Sequence, residues 1–196
     1  MQIDTAILIT YGAVTRKVKK GEVIFFEDSA ARFFHQVIEG GIKVFSTNSD
    51  GKELIQGLFY QGESFGEPPL FIEKPYPSTA IALVDSVVLR LSKESFFAIL
   101  DDYPAICKGM VTVFAQRLYN KAATAQILTS HTPEEKILGF LKKIKMAANA
   151  EGFFLIPYTR QQIADFTGLR VETVIRVLIK LEKEKKLQIL HHKVYY

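Results

Sequence analysis

The 196-residue sequence holds one cysteine, Cys107, and that scarcity removes several chemistries at once. An internal disulfide is excluded, and one thiolate is too few for a structural zinc or an iron–sulfur cluster. Histidine is scarce as well. His35, His131, His191 and His192 form no metal-binding cluster, and only His35 falls in the β-rich first half. No apolar run approaches the roughly 18 residues of a membrane span, because Asp85 and Arg90 interrupt the longest candidate, Ala80–Leu91. The first ten residues carry Asp4 and no basic region ahead of a short apolar stretch, so they do not read as a secretory signal. A Gly-x-x-x-x-Gly-Lys phosphate loop is missing, and so is any local Ser-His-Asp signature. These absences predict a cytoplasmic protein of a reducing compartment, with no membrane partner, no cofactor and no enzymatic activity.

Apolar residues are 48% of the chain and charged residues 23%, enough to build a core and still wet a surface. The net charge of +4 is unevenly spread. Residues 1–130 hold 13 Lys and Arg against 14 Asp and Glu, net −1; residues 131–196 hold 12 against 7, net +5. A polyanion is therefore a candidate partner for the last third alone, although a solvated lysine-rich surface would show the same balance.

The first hundred residues alternate short apolar stretches with glycines: Val23–Phe26, Val37-Ile38, Ile42–Phe45 and the long run Ala80–Leu91. Asn48-Ser49-Asp50-Gly51-Lys52 is a strong hairpin turn. Many short strands without intervening helices predict an antiparallel roll or barrel. Helix signals begin at Ser92, and Pro104 opens a long helix to about Thr129. Along it Cys107, Val111, Phe114, Leu118, Lys121, Ala125 and Leu128 follow steps of four and three, a heptad seam. Ile106, Met110 and Val113 form a second stripe that would face the roll. A helix apolar on two sides must bury both, so a second copy of the chain is the expected partner.

Thr132-Pro133-Glu134-Glu135 starts a further helix with a capping box, after a hinge at Ser130-His131. It would turn Ile137, Leu138, Phe140 and Leu141 inward, and Lys142, Lys143 and Lys145 outward. Thr159-Arg160-Gln161-Gln162 is another capping box. From there Ile163, Ala164, Gly168, Val174 and Leu178 fall at helix-turn-helix spacing: a small residue where the helices touch, a glycine for a left-handed turn, and apolar residues welding the pair. Leu187–Leu190 and Val194–Tyr196, about a three-residue polar loop, predict a β-hairpin wing.

With Gly62–Glu67, the heptad helix, and Thr159–Ala164 through Val171–Arg176 taken together, the whole chain resembles the Crp/Fnr family of bacterial transcription regulators. The resemblance implies an α+β chain: an N-terminal antiparallel β-roll of the cyclic-nucleotide-binding type over 1–103, a dimerisation helix over 104–130 and a C-terminal winged helix-turn-helix over 131–196. It implies a homodimer on double-stranded DNA, with RNA polymerase as a further partner and an unidentified small-molecule effector left open. Val171, Glu172 and Arg176 would read bases: arginine suits guanine, glutamate suits cytosine, and an apolar residue suits a thymine methyl. Val171 stands where the cyclic-AMP receptor has arginine, so half-sites of the TTGA type are expected. Ile175 departs from the serine of the Fnr branch and leaves a further base preference open. Thr159, Arg160, Gln161, Arg170 and Lys193 would contact phosphates.

By the same resemblance the effector pocket falls on Gly66, Glu67, Ser78, Thr79 and Lys121. The family's phosphate-binding Arg-Ser pair is Pro77-Ser78 here, and its adenine-contacting Thr-Ser is Lys121-Ala122. With Pro68 and Pro69 also removing backbone donors, these departures argue against control by cyclic AMP. Cys107 reads as a seam thiol and His35 as a satisfied, half-buried histidine. The alternatives are a cyclic-nucleotide-responsive regulator with an altered pocket, a sequence-blind architectural DNA binder, which Glu172 argues against, and, remotely, a cupin-like metal enzyme.

Overall fold

The computed structural model describes residues 2–196. Two units emerge from its contacts: the first runs to Arg117, less Lys52–Leu54, and the second holds Lys52–Leu54 and Leu118–Tyr196.

The first unit is a pair of four-stranded antiparallel sheets. One holds β1 (Val14–Val18), β8 (Ser86–Ser92), β3 (Phe33–Glu39) and β6 (Ser64–Phe65), in that order. The other holds β2 (Val23–Phe25), β7 (Thr79–Ala82), β4 (Gly41–Thr47) and β5 (Glu53–Tyr60). The single strand expected over Ala80–Leu91 is thus two strands in different sheets. The chain turns at Asp85, whose carboxylate accepts from the Lys20 amide at 3.0 Å and the Lys19 ammonium at 2.9 Å. An apolar period cannot register such a reversal, because apolar residues stand on both sides of it. Val18, Phe25, Val37, Phe65 and Val88 fill the space between the sheets.

Two helices interrupt the region expected to be helix-free: α1 (Thr5–Thr10) and α2 (Pro68–Ile72). Six and five residues are too short for a periodic signal. Tertiary contacts hold α1: Ile3 and Leu8 are buried, and the buried Gln36 amide both accepts from the Ile3 N–H and donates to its carbonyl at 2.9 Å. Ile3 and Leu8 join Phe34, Phe96, Ile99 and Met110 in a second core. Phe96 and Ile99 come from α3 (Lys93–Asp102), capped by Ser92, and Met110 from α4 (Pro104–Leu128). Ile106 and Met110 of α4 pack inward as the second stripe predicts, whereas its third member, Val113, is half-buried outside this core. Cys107 and Phe114, assigned to the seam, partly cover the same core.

His35 differs from its expected half-buried, satisfied state. It is 3% exposed among Phe25, Phe33 and Phe65, and its Nδ1 has no hydrogen-bond partner among the described residues. Burial, then the nearby Arg90 and Arg16 guanidinium groups, push its pKa down to about 3.

In the second unit α5 (Pro133–Ala147) and α6 (Arg160–Thr167) each begin with a complete capping box. Ile137, Phe140 and Leu141 meet Ile163, Ala164, Val174 and Leu178 in one core, the last four fully buried. The wing is β9 (Gln188–Leu190) and β10 (Lys193–Tyr195). Its loop is two residues, not three. His191 and His192 both take positive φ, +47° and +62°, which suits the twist of a tight hairpin, and Lys193 pairs with Leu190. Lys143 does not point outward. Its Nζ donates to the Asn120 carbonyl at 3.0 Å and to the Thr124 hydroxyl, and burial plus the neighbouring Lys121 lowers its pKa.

Leu178→Ala should destabilise the second unit by about 3 kcal/mol through the cavity it leaves, read by urea denaturation. The His35 shift sets a pH dependence. A histidine kept neutral in the fold but titrating near 6.5 in the unfolded chain contributes stability that is complete above that pH. It is lost toward pH 3 at a limiting slope of about 1.4 kcal/mol per unit. His35→Phe should flatten the dependence of the urea midpoint on pH between 6.5 and 4. Parallel curves would show that His35 takes up its proton inside the fold.

Candidate nucleic-acid interface and effector cassette

The helix pair of the second unit is built from its turn. Thr159 Oγ1 accepts from the Gln162 N–H at 3.1 Å, and Gln162 Oε1 accepts from the Thr159 N–H at 2.9 Å, which starts α6 squarely. Gly168 ends it at φ +66°, where a side chain would be strained. Arg170 then stands at the N-cap position of α7 (Val171–Lys183), with no capping bond from its side chain. One face of α7, Val174, Val177, Leu178 and Leu181, is buried. The opposite face presents Glu172, Ile175, Arg176, Ile179, Lys180 and Lys183 around one open concavity.

Two of the three predicted base readers, Glu172 and Arg176, therefore stand exposed one turn apart. Val171 is half-buried and packs on the core instead. Of the predicted phosphate contacts, Thr159, Gln161, Arg170 and Lys193 are exposed and Arg160 is half-buried. Arg160 Nη1 donates to the His192 carbonyl at 3.0 Å and ties α6 to the wing, and Gln161 Nε2 donates to Asp165 Oδ1 at 2.8 Å. The Thr159 hydroxyl serves the cap. Lys180 and Lys186 share Glu134 at 2.6 and 3.2 Å, which braces α5 against the end of α7 and holds the Glu134 carboxyl below its usual range.

Gly66, Glu67, Ser78 and Thr79 all lie in the first unit. Glu67 is fully buried. Its carboxylate accepts from Arg117 Nη1 at 3.1 Å on both oxygens, while Arg117 Nη2 donates to the Ser64 carbonyl at 2.7 Å. The same guanidinium lies 5.2 Å from the Phe59 ring centre. Phe25 and Tyr76 stack at 3.7 Å with planes 7° apart, and the Tyr76 hydroxyl donates to the Phe33 carbonyl. That stack abuts Gly66: a Cβ there would sit 2.9 Å from Phe25 and 3.2 Å from Tyr76. The Ser78 hydroxyl donates to the carbonyl of Pro77, and Thr79 Oγ1 accepts from the Glu27 N–H at 3.0 Å. Lys121 belongs to the second unit, exposed, with partial desolvation of its ammonium lowering its pKa.

Arg117 is the residue that sequence reasoning misses. Its one signal is a position on α4 a turn ahead of Lys121. Nearby in the first unit, Pro68, Phe71, Ile72, Met110, Val111 and Phe114 line an open apolar groove of about 310 Å³. Val111 is 62% exposed there, and in the second unit Leu118 is 70% exposed and Ala125 is exposed as well, while Leu128 is half-buried. Among the described residues no helix is long and apolar enough to cross a membrane, and no group of three His, Cys, Asp or Glu could hold a metal ion.

A cyclic nucleotide-binding domain model matches residues 15–103, and a Crp-like helix-turn-helix model matches residues 135–194. The chain is 30% identical to the transcriptional activatory protein AadR of Rhodopseudomonas palustris, over 86% of this chain and 71% of that one. It is 25% identical to the nitrogen fixation regulation protein FixK of Bradyrhizobium diazoefficiens, over 96% and 81%. In fold it is similar to the c-di-GMP-responsive regulator CLP of Xanthomonas campestris, with a TM-score of 0.80, 22% identity and 98% of both chains covered. With a sheet unit carrying the cassette, a capped helix-turn-helix with its wing, and these relatives, the chain belongs to the Crp/Fnr family and is a DNA-binding transcription regulator of that type.

Proposed function

We propose that this regulator binds palindromic TTGA-type sites as a homodimer, in the cytoplasm, and does so without cyclic AMP. The observation that carries the reading is the outer face of α7, where Glu172 and Arg176 stand exposed a turn apart on a helix whose other face is core. Glutamate accepts from cytosine and arginine donates twice to guanine, so the pair reads adjacent base pairs in the major groove. Arg170 and Lys193 flank it and set register on the phosphates, joined by Thr159, Arg160 and Gln161 at the start of α6. We divide the chain into a roll over 1–103, a dimerisation helix over 104–130 and a winged helix over 131–196. Val111, Leu118 and Ala125, with Cys107, Phe114 and Leu128, supply the seam between copies, and two-fold symmetry then spaces the recognition helices about 34 Å apart. RNA polymerase is the further partner that the family implies.

The proposal against cyclic AMP rests on the cassette. Pro77 replaces the cation that would neutralise a cyclic phosphate, Phe25 and Tyr76 cover Gly66, and Arg117 already holds both oxygens of Glu67. A nucleotide would have to displace an aromatic stack and a buried ion pair.

Selection from a random duplex pool by the ligand-free full chain tests this. The expected product is a TTGA-type palindrome whose affinity does not change when cyclic AMP is added. Glu172→Ala and Arg176→Ala should each lose about 1–3 kcal/mol of discrimination at their own position. Lys193→Ala should weaken all sequences alike and lower the salt slope by about 1. Leu118→Glu should give a monomer in sedimentation that no longer selects a palindrome. A sequence-blind pool would overturn the regulator reading, and marked tightening by cyclic AMP would overturn the effector reading alone.

A further inference from the structure

Three polar side chains meet at one end of the first unit, outside the cassette, and the fold leaves them unsatisfied. Strand pairing sets Arg90 of β8 directly opposite His35 of β3 on one side and Val14 of β1 on the other. Arg16, two residues along β1, shares that face of the sheet, the same face whose Val18, Val37 and Val88 fill the space between the sheets. Directly opposed residues have Cβ atoms about 5 Å apart and diagonal ones about 7–8 Å, so two guanidinium groups and an imidazole are within side-chain reach of one point. Both arginines act on His35: after burial itself, Arg90 and then Arg16 hold its pKa down.

His35, 3% exposed, makes no side-chain hydrogen bond among the described residues. Phe25 and Phe65 lie against its ring, with centres 5.7 and 5.3 Å away. Arg90 is half-buried and makes no hydrogen bond among the described residues either; its guanidinium lies 4.4 Å from the Phe33 ring centre, a contact that uses none of its N–H donors. Arg16 spends one Nη on Glu22 at 2.8 Å and on the Val23 carbonyl at 3.4 Å, and the second oxygen of Glu22 accepts from the Lys19 N–H. Glu22 is thus committed to Arg16, and no carboxylate pairs with Arg90 among the described residues. Buried polar groups in folded proteins are as a rule hydrogen-bonded. A water molecule would satisfy the imidazole alone, whereas an anion satisfies the imidazole and the uncompensated arginine together. We infer that Arg90, Arg16 and His35 form a binding site for a small oxyanion, a carboxylate or phosphate group, gripped by Arg90 beside Phe33 and accepting one N–H from His35. The planar guanidinium fork matches two oxygens on one atom, and a neutral imidazole has one N–H to donate. The site is separate from α7, and the inference does not depend on the reading of DNA.

The test is a titration of the isotope-labelled full chain with sodium acetate and, separately, with inorganic phosphate, each replacing chloride at constant ionic strength. The readout is the ring-nitrogen resonances of His35 in the NMR spectrum, identified by their loss in His35→Phe. Anions held by the second unit are reported separately by His191 and His192 on the wing. The His35 signals should shift saturably, with a dissociation constant of about 1 mM. Saturation by acetate assigns a carboxylate, and saturation by phosphate alone assigns a phosphate group. Arg90→Gln should weaken binding about tenfold, and Arg90→Lys, which keeps the charge and loses the planar fork, by nearly as much. Thermal midpoints in chloride separate loss of the site from loss of the fold. Should both Arg90 variants fail to fold, Arg16→Gln, whose side chain is 37% exposed, carries the test with an expected loss of about threefold. His35 signals that do not saturate with either anion overturn the inference and leave water as the partner of the ring. Saturation that is unchanged in the folded arginine variants overturns it as well.

Discussion

A carboxylate with no exposure to water must be answered by a cation, and in the first unit the answer comes from α4. Glu67 follows Gly66, which abuts the Phe25–Tyr76 stack, and its carboxylate meets the guanidinium of Arg117, which also reaches the Ser64 carbonyl. Removing one member of such a pair leaves a charge stranded in a medium that cannot solvate it, whereas the intact pair with its extra hydrogen bond is satisfied. One side chain therefore joins the β6–α2 cassette to the long helix. Arg117 keeps partial contact with solvent, its side chain 28% exposed, so it can hold the carboxylate without itself being fully desolvated.

The second unit solves a different problem, which is to free one face of a helix. Capping boxes at both Thr132 and Thr159 satisfy backbone donors locally, and the left-handed Gly168 opens a turn of three residues between α6 and α7. The core then needs only Val174, Val177, Leu178 and Leu181 from α7. Val171 packs on it in part, and the outer positions of the helix are released from packing. Glu172, Ile175 and Arg176 therefore stand exposed, with no part in that core. The lysines around Glu134 and Glu184 add little energy individually, being exposed, but they fix the end of α7 relative to α5.

Local chemistry made the second unit the more legible half. A capping box, a small residue at a helix contact and a glycine at a turn each act within four residues, so Thr159, Ala164 and Gly168 could be read directly. The wing was legible in outline, but its two-residue loop was not. His191-His192 lacks the Asn-Gly or Asp-Gly signature of a two-residue turn, and the pairing of Lys193 with Leu190 is decided across the hairpin. The first unit was harder, because both sides of the turn at Asp85 are apolar and because α1 and α2 are too short to show a period.

Sequence alone determined the class of molecule: a β-rich half, a long helix with more apolar surface than one chain buries, and a basic helix-turn-helix. These follow from periodicity, caps and charge, which are properties of neighbouring residues. Tertiary structure decided which residues stand at the surfaces that matter. Arg117 meets Glu67 across fifty residues, Phe25 meets Tyr76 across fifty-one, and Val171 turns inward while Ile175 is left in the open. Such pairings depend on how sheets and helices close on one another, and no local period encodes the contact between two distant side chains.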